Sequence, residues 1–264
     1  MTACVNGCTA TMRGGLLVLG LLAGGLVVAA DKPLFIGEVQ VEDVRASETD
    51  TSVLHYEIVH EAPDLLQQRL SGWFPLASRD VTGVTVSMQG YPVALKPNAD
   101  DRHSASTFLV DYAEPAVQIL AGEIRERFGE QPSPPELEQF VHDYIADKNT
   151  AHGFDIASQV ARSRAGDCTE HAVLLTSLLR MYGYPARTVT GLFVSLENPV
   201  MAYGHAWAEF YSDHGWSGLD GTRISESVGA QHIPLGVVED ESIAYAIGLI
   251  GTLQALAIER VIIK

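Results

Sequence analysis

The sequence predicts an α+β fold: helices packed on an antiparallel sheet, preceded by a small β-rich domain. Three observations carry this. Residues 32–110 are dominated by strand-like patterns. Residues 115–163 then space their apolar side chains by threes and fours. An almost wholly apolar helix from residue 168 leads into a meander of strands. With 264 residues, 47% hydrophobic and 19% charged, the chain has an ordinary globular balance. It is long enough for one large or two small domains, and neither disorder nor a coiled coil is supported.

The first thirty residues differ in kind. Arg13 is the one charge among residues 1–13, and residues 14–30 form an uncharged run ending Val28-Ala29-Ala30 before Asp31. A weakly positive start, an apolar core and small residues at the −3 and −1 positions describe a secretory signal peptide over residues 1–30. The alternative is an uncleaved membrane anchor, although seventeen residues is short against the about 20 needed to span a bilayer. The expected location is periplasmic or extracellular, with membrane attachment only if this segment stays in place. The formal charge is −16. Removing residues 1–30 takes away Arg13 and no acid, leaving −17. Such a surface repels nucleic acid and anionic lipid. The charge does not name a substrate, and most of these carboxylates read as solvated.

The elements follow in order. Over residues 31–112, strands are expected at 35–41, 53–59, 81–88 and 104–111, with Gly90-Tyr91-Pro92 as a turn. His55, His60 and His103 are scattered there and read as surface or structural residues. The second domain, 113–264, opens at Pro115 with Val117, Leu120, Ile124 and Phe128 on one face and Gly129 past the end. A second helix starts near Glu136, and residues 155–163 suit a third. Asp167 is a good N-cap with Glu170 three residues on, a capping-box pattern that starts a buried helix ending at Gly183. Strands are expected over 186–194, 205–211, 216–219 and 260–263, and residues 243–256 form a further apolar segment. Glu239-Asp240-Glu241 reads as a solvated turn, since a calcium loop needs more oxygen ligands at loop spacing.

Cys4 and Cys8 lie in the leader, so the mature chain holds one cysteine, Cys168, and no internal disulfide. As first residue of its helix, Cys168 places its sulfur among free N–H groups in the positive end of the helix dipole. That position is expected to lower the thiol pKa and to receive an oxyanion. A cysteine nucleophile also needs a base and a group that orients the base. His205 lies 37 residues on and Asp220 another 15. Neighbouring antiparallel strands can bring those two side by side. His171 and His214 are competing bases, His171 pointing along the helix and His214 lying in a turn. A zinc site of Cys168, His171 and His205 is conceivable, but one Cys-x-x-His lacks a second pair. An inert core cysteine is the plain alternative.

Gly166-Asp167-Cys168-Thr169-Glu170-His171-Ala172, then Gly183-Tyr184-Pro185-Ala186-Arg187, then His205-Ala206-Trp207-Ala208-Glu209-Phe210-Tyr211, then Gly215-Trp216-Ser217-Gly218-Leu219-Asp220-Gly221-Thr222 arrive in one order. This series resembles the core of the transglutaminase-like superfamily. The resemblance covers roughly residues 157–223 and implies a papain-like α+β fold. It implies Cys168 as nucleophile, His205 as general base and acid, and Asp220 as orienting carboxylate, without a cofactor. Many members have Pro after the Asp, where this chain has Gly221. The implied chemistry is attack on an amide carbonyl of a protein or peptide substrate, a thioester, and resolution by water or an amine, so that peptidase, deamidase and transamidase activity all remain open. A non-catalytic binding protein on the same fold is the alternative.

Overall fold

The computed structural model describes residues 36–45, 53–75, 77–92, 98–149, 155–238 and 258–264. The expected leader, the acidic cluster 239–241 and the apolar segment 243–256 lie outside the described residues. In chain order the elements begin with β1 (Ile36–Asp43), β2 (Leu54–His60), α1 (Pro63–Leu70), β3 (Ser78–Arg79) and β4 (Gly83–Met88). The middle of the chain holds α2 (Pro115–Gln118), α3 (Leu120–Phe128), α4 (Pro134–Tyr144), β5 (Asp147–Lys148), α5 (Ala157–Ser163), β6 (Ala165–Gly166) and α6 (Cys168–Met181). The last part holds β7 (Ala186–Ser195), β8 (Met201–Ser212), β9 (Gly215–Leu219), β10 (His232–Val237) and β11 (Ile258–Ile263).

Nine of these strands join one sheet, in the order β10, β7, β8, β1, β11, β2, β4, β3, with β9 also on β8. The α+β class expected from sequence is therefore observed. The boundary expected between residues 112 and 113 does not separate two bodies, because residues 34–264 form one compact unit. The reason is long-range pairing. β1 runs antiparallel to β8 and parallel to β11, and β11 in turn pairs β2. N-terminal strands thus complete the sheet that C-terminal motifs begin.

Two buried clusters lie on the sheet. One joins Leu66 and Leu70 of α1 to Tyr56, Val86, Trp207 and Trp216. The other joins the α2–α6 helices to Ala186, Ala208 and Leu219. β8 supplies Trp207 to the first and Ala208 to the second, as the two-residue period of a strand requires. α6 is buried along nearly its whole length, which matches its apolar run.

Some elements differ from expectation. The helix from Pro115 is two segments, α2 and α3. The helix expected from Glu136 starts at Pro134, because Ser133 N and Oγ both donate to Glu136 Oε2 at 2.7 Å. The strand expected over 104–111 is absent. Side chains there take the backbone groups a ladder would need: Val110 N donates to Thr107 Oγ1 at 3.3 Å and Ala113 N to Ser106 Oγ at 3.2 Å. β10 was not expected, because Pro234 and Gly236 disfavour a strand. A register shift between those residues accommodates both.

A buried polar network ties the N-terminal part to β7 and β8. Glu209 Oε2 accepts from Arg187 Nε at 2.6 Å, and Oε1 accepts from Trp73 Nε1 at 3.1 Å and Tyr91 Oη at 2.6 Å. Tyr91 Oη in turn accepts from Trp207 Nε1 at 2.9 Å. The Arg187 guanidinium lies 4.0 Å from the Trp216 ring centroid. Removing one charge of such a pair strands the other in the core. Glu209→Ala should therefore cost about 3–5 kcal/mol in urea unfolding. The double replacement Arg187→Met, Glu209→Leu should cost less than Glu209→Ala alone.

Candidate active site

Local capping builds the thiol's position. Asp167 Oδ1 accepts from Thr169 N and Oγ1, both at 2.8 Å, and Glu170 Oε2 accepts from Asp167 N at 2.9 Å. Cys168 is the first residue of α6, as the motif predicts. Gly166 has φ +150°, and a Cβ there would run into the Glu170 side chain folded beneath it. The glycine before the cap is thus a steric requirement.

Strand pairing builds the surroundings of His205. His205 lies on β8, which pairs β7 along its length. The Ala206 N–H donates to the Cys168 sulfur. Cys168, Ala172 and Ala206 form a small buried cluster of their own. Opposite His205 on β7 is Gly191, where a Cβ would lie 2.7 Å from Trp207 Cη2. Its absence leaves room for the Trp207 ring, 6.0 Å from the His205 ring, while Phe193 meets His205 edge-on at the same centroid distance.

His205 Nε2 donates to Asp220 Oδ2 at 2.8 Å. Asp220 follows β9 directly, and its other oxygen accepts from Thr222 N at 2.9 Å and Thr222 Oγ1 at 2.6 Å. Helix α4 holds the backbone on both sides of this residue. Asp220 N donates to Glu138 Oε1 at 2.6 Å, and the Gly221 carbonyl accepts from His142 Nδ1 at 2.9 Å. These α4 bonds constrain the backbone at Asp220 and Gly221.

Sequence reasoning missed His232. Its Nε2 lies 3.2 Å from the same Asp220 Oδ2. The available signal was a histidine beside the apolar Ile233, obscured by Pro234. Among the described residues, His205, Asp220 and His232 also form the one group with metal-ligand proximity, their ligand atoms lying within 4.8 Å of one another. The zinc set expected as an alternative is not assembled as such: His171 Nδ1 donates to the Asp167 carbonyl at 2.6 Å, and His205 Nε2 is engaged by Asp220.

Electrostatics corrects one expectation. Burial pushes the Cys168 thiol well above its ordinary range, and the Asp167 carboxylate adds to it, outweighing the Ala206 N–H that favours the thiolate. Cys168 and His205 have 0% exposure and Asp220 has 1%, so the low dielectric prevails over the helix end. Burial would raise Asp220 as well, but His205 and His232 hold it well below the carboxylate range. Glu138 is pushed up to about 7 by burial, against the Asp220 N–H and with the Asp220 charge. Burial and the Glu170 carboxylate push Asp167 up. Burial would raise Glu170 too, but the N–H groups of Asp155 and Asp167 keep it low.

Burial also lowers His171 to about 4, against the Asp167 carbonyl that favours its charged form, and lowers His232 despite Asp220. An unfolded chain takes up these protons below the ordinary 6.5, before the folded protein does. Stability from a neutral His171 is thus complete above pH 6.5 and is lost as pH falls toward about 4. The loss is on the order of 3 kcal/mol. Urea midpoints taken from pH 7.5 down to 4 should fall, and His171→Gln should flatten the slope.

Residues 124–221 match the model of the transglutaminase-like superfamily. No curated protein sequence matches the chain. A candidate cysteine protease from Cytophaga hutchinsonii is similar at 16% identity and a TM-score of 0.45, over 63% of this chain and 58% of that one. The periplasmic domain of TgpA from Pseudomonas aeruginosa bound to ethylmercury is similar at 22% identity and a TM-score of 0.37, over 54% and 56%. The same domain without ethylmercury gives 23%, 0.36, and 54% of each chain. The chain spans little more than half the length of each of these structures. The similarity to the transglutaminase-like superfamily thus lies within residues 124–221.

Proposed function

We propose that this chain is an exported cysteine-dependent enzyme that cleaves or transfers amide acyl groups through a thioester on Cys168. The observation that supports it best is the pairing of His205 Nε2 with Asp220 Oδ2 at 2.8 Å, one residue from the Ala206 N–H that reaches the Cys168 sulfur. The match of residues 124–221 to the transglutaminase-like superfamily model supports an enzyme of this general type. Export rests on the signal-like pattern of residues 1–30. Among the described residues, no helix is long and apolar enough to cross a membrane.

The resting thiol is neutral, since its surroundings disfavour an isolated thiolate. With Nε2 committed to Asp220, Nδ1 is the nitrogen of His205 that takes the thiol proton. The sulfur attacks the amide carbonyl carbon, and the carbonyl electrons move onto oxygen. The backbone N–H of Cys168 is one donor for that oxyanion. As the oxyanion collapses, the C–N bond breaks and His205 returns the proton to the departing amine, leaving a thioester. Water or a second amine then attacks the thioester, gives its proton to His205, and the sulfur leaves as thiolate and is reprotonated. Asp220 stays ionised and holds the imidazolium. Substrate is a protein or peptide.

The complete burial of Cys168 favours a second reading, a non-catalytic binding protein, because a carbonyl reaches the sulfur only when overlying residues part. Purified protein should be assayed on labelled casein for both peptide release and incorporation of a fluorescent primary amine. The enzyme reading expects activity in one assay that falls by at least ~10³-fold in Cys168→Ala and in His205→Ala. Retention of turnover in Cys168→Ala would exclude the thioester route.

A further inference from the structure

Asp220 Oδ2 receives two imidazoles, His205 at 2.8 Å and His232 at 3.2 Å. The second has no place in the nucleophile, base and carboxylate series. His232 begins β10, where it sits opposite Phe193 of β7. Gly229 N donates to His232 Nδ1 at 3.4 Å, which leaves the ring hydrogen on Nε2, directed at Asp220. Phe193 and Trp207 pack edge-on to the ring at 5.0 and 5.4 Å, and the His205 ring lies 6.0 Å away. The charged groups around His232 are Asp220, His205 and Arg223, the last lying over the Phe193 face. The ring is thus fixed in plane, tautomer and direction by a buried surround.

We propose that His232 is a positioning residue that pins Asp220 Oδ2, keeping the carboxylate aimed at His205 Nε2 during proton transfer. This rests on the reading that Cys168, His205 and Asp220 act together. Thr222 holds one carboxylate oxygen through two donors. Without His232, the other oxygen has, among the described residues, only His205, the group it is meant to orient. A second donor on Oδ2 also spreads the carboxylate's charge. Asp220 then remains an anion beside a charged His205 instead of taking its proton.

The test compares full-length wild type, His232→Gln, His232→Leu and His205→Ala for the rate of Cys168 alkylation by iodoacetamide between pH 5 and 9. Glutamine can place an N–H donor near the position of the His232 Nε2 hydrogen, and leucine cannot. His232→Leu should slow alkylation roughly ten- to a hundredfold and shift its pH profile, through misplacement of the base. His232→Gln should recover most of the rate. Should His232→Leu not fold, His232→Asn, whose amide is too short to reach Asp220, takes its place. A folded His232→Leu or His232→Asn protein with wild-type rate and pH profile would overturn the role of His232 while leaving the His205 dependence intact. Equal rates in wild type and His205→Ala would instead overturn the reading beneath it, and this role with it.

Discussion

A single buried negative charge sets the requirements for the rest of the site. Asp220 is almost wholly enclosed, and an uncompensated carboxylate in such a place would take up a proton. It stays ionised because His205, His232 and both donors of Thr222 converge on its two oxygens. Each donor comes from a different part of the chain: β8, β10 and the turn after β9. Helix α4 adds bonds to the backbone at Asp220 and Gly221. The sheet, the turn and the helix must all be in register for the charge to be tolerated. Correct folding and a correctly oriented His205 are therefore the same condition.

The second organising feature is the contact between β8 and the start of α6. β8 pairs β7 along its length. From it the Ala206 N–H turns to the Cys168 sulfur at the first turn of α6. The dry surroundings that make this packing possible keep the thiol neutral. An isolated thiolate at Cys168 is therefore disfavoured.

Much of this was legible because its causes are local. Asp167 and Glu170 are three residues apart, and their reciprocal bonds start α6 where the pattern says. His205 and Asp220 lie on either side of one tight turn, so their approach follows from a hairpin. His232 was not legible, because β10 reaches β7 across about forty residues and its Pro234 and Gly236 erase the strand pattern. Long-range pairing of β1 with β8 and β11 merges into one sheet what composition divides into two domains. The thiol's pKa was misjudged because the helix end was weighed and the desolvation of a buried Cys168 was not.

The central claim is that Cys168 becomes acylated with His205 as base. Its most direct test is acid-quenched mass spectrometry with peptide mapping of the protein during reaction with an activated ester such as p-nitrophenyl acetate. The account predicts an acyl adduct on Cys168 that accumulates in wild type and is greatly diminished in His205→Ala. Acylation elsewhere, or on Cys168 to the same extent without His205, would contradict it.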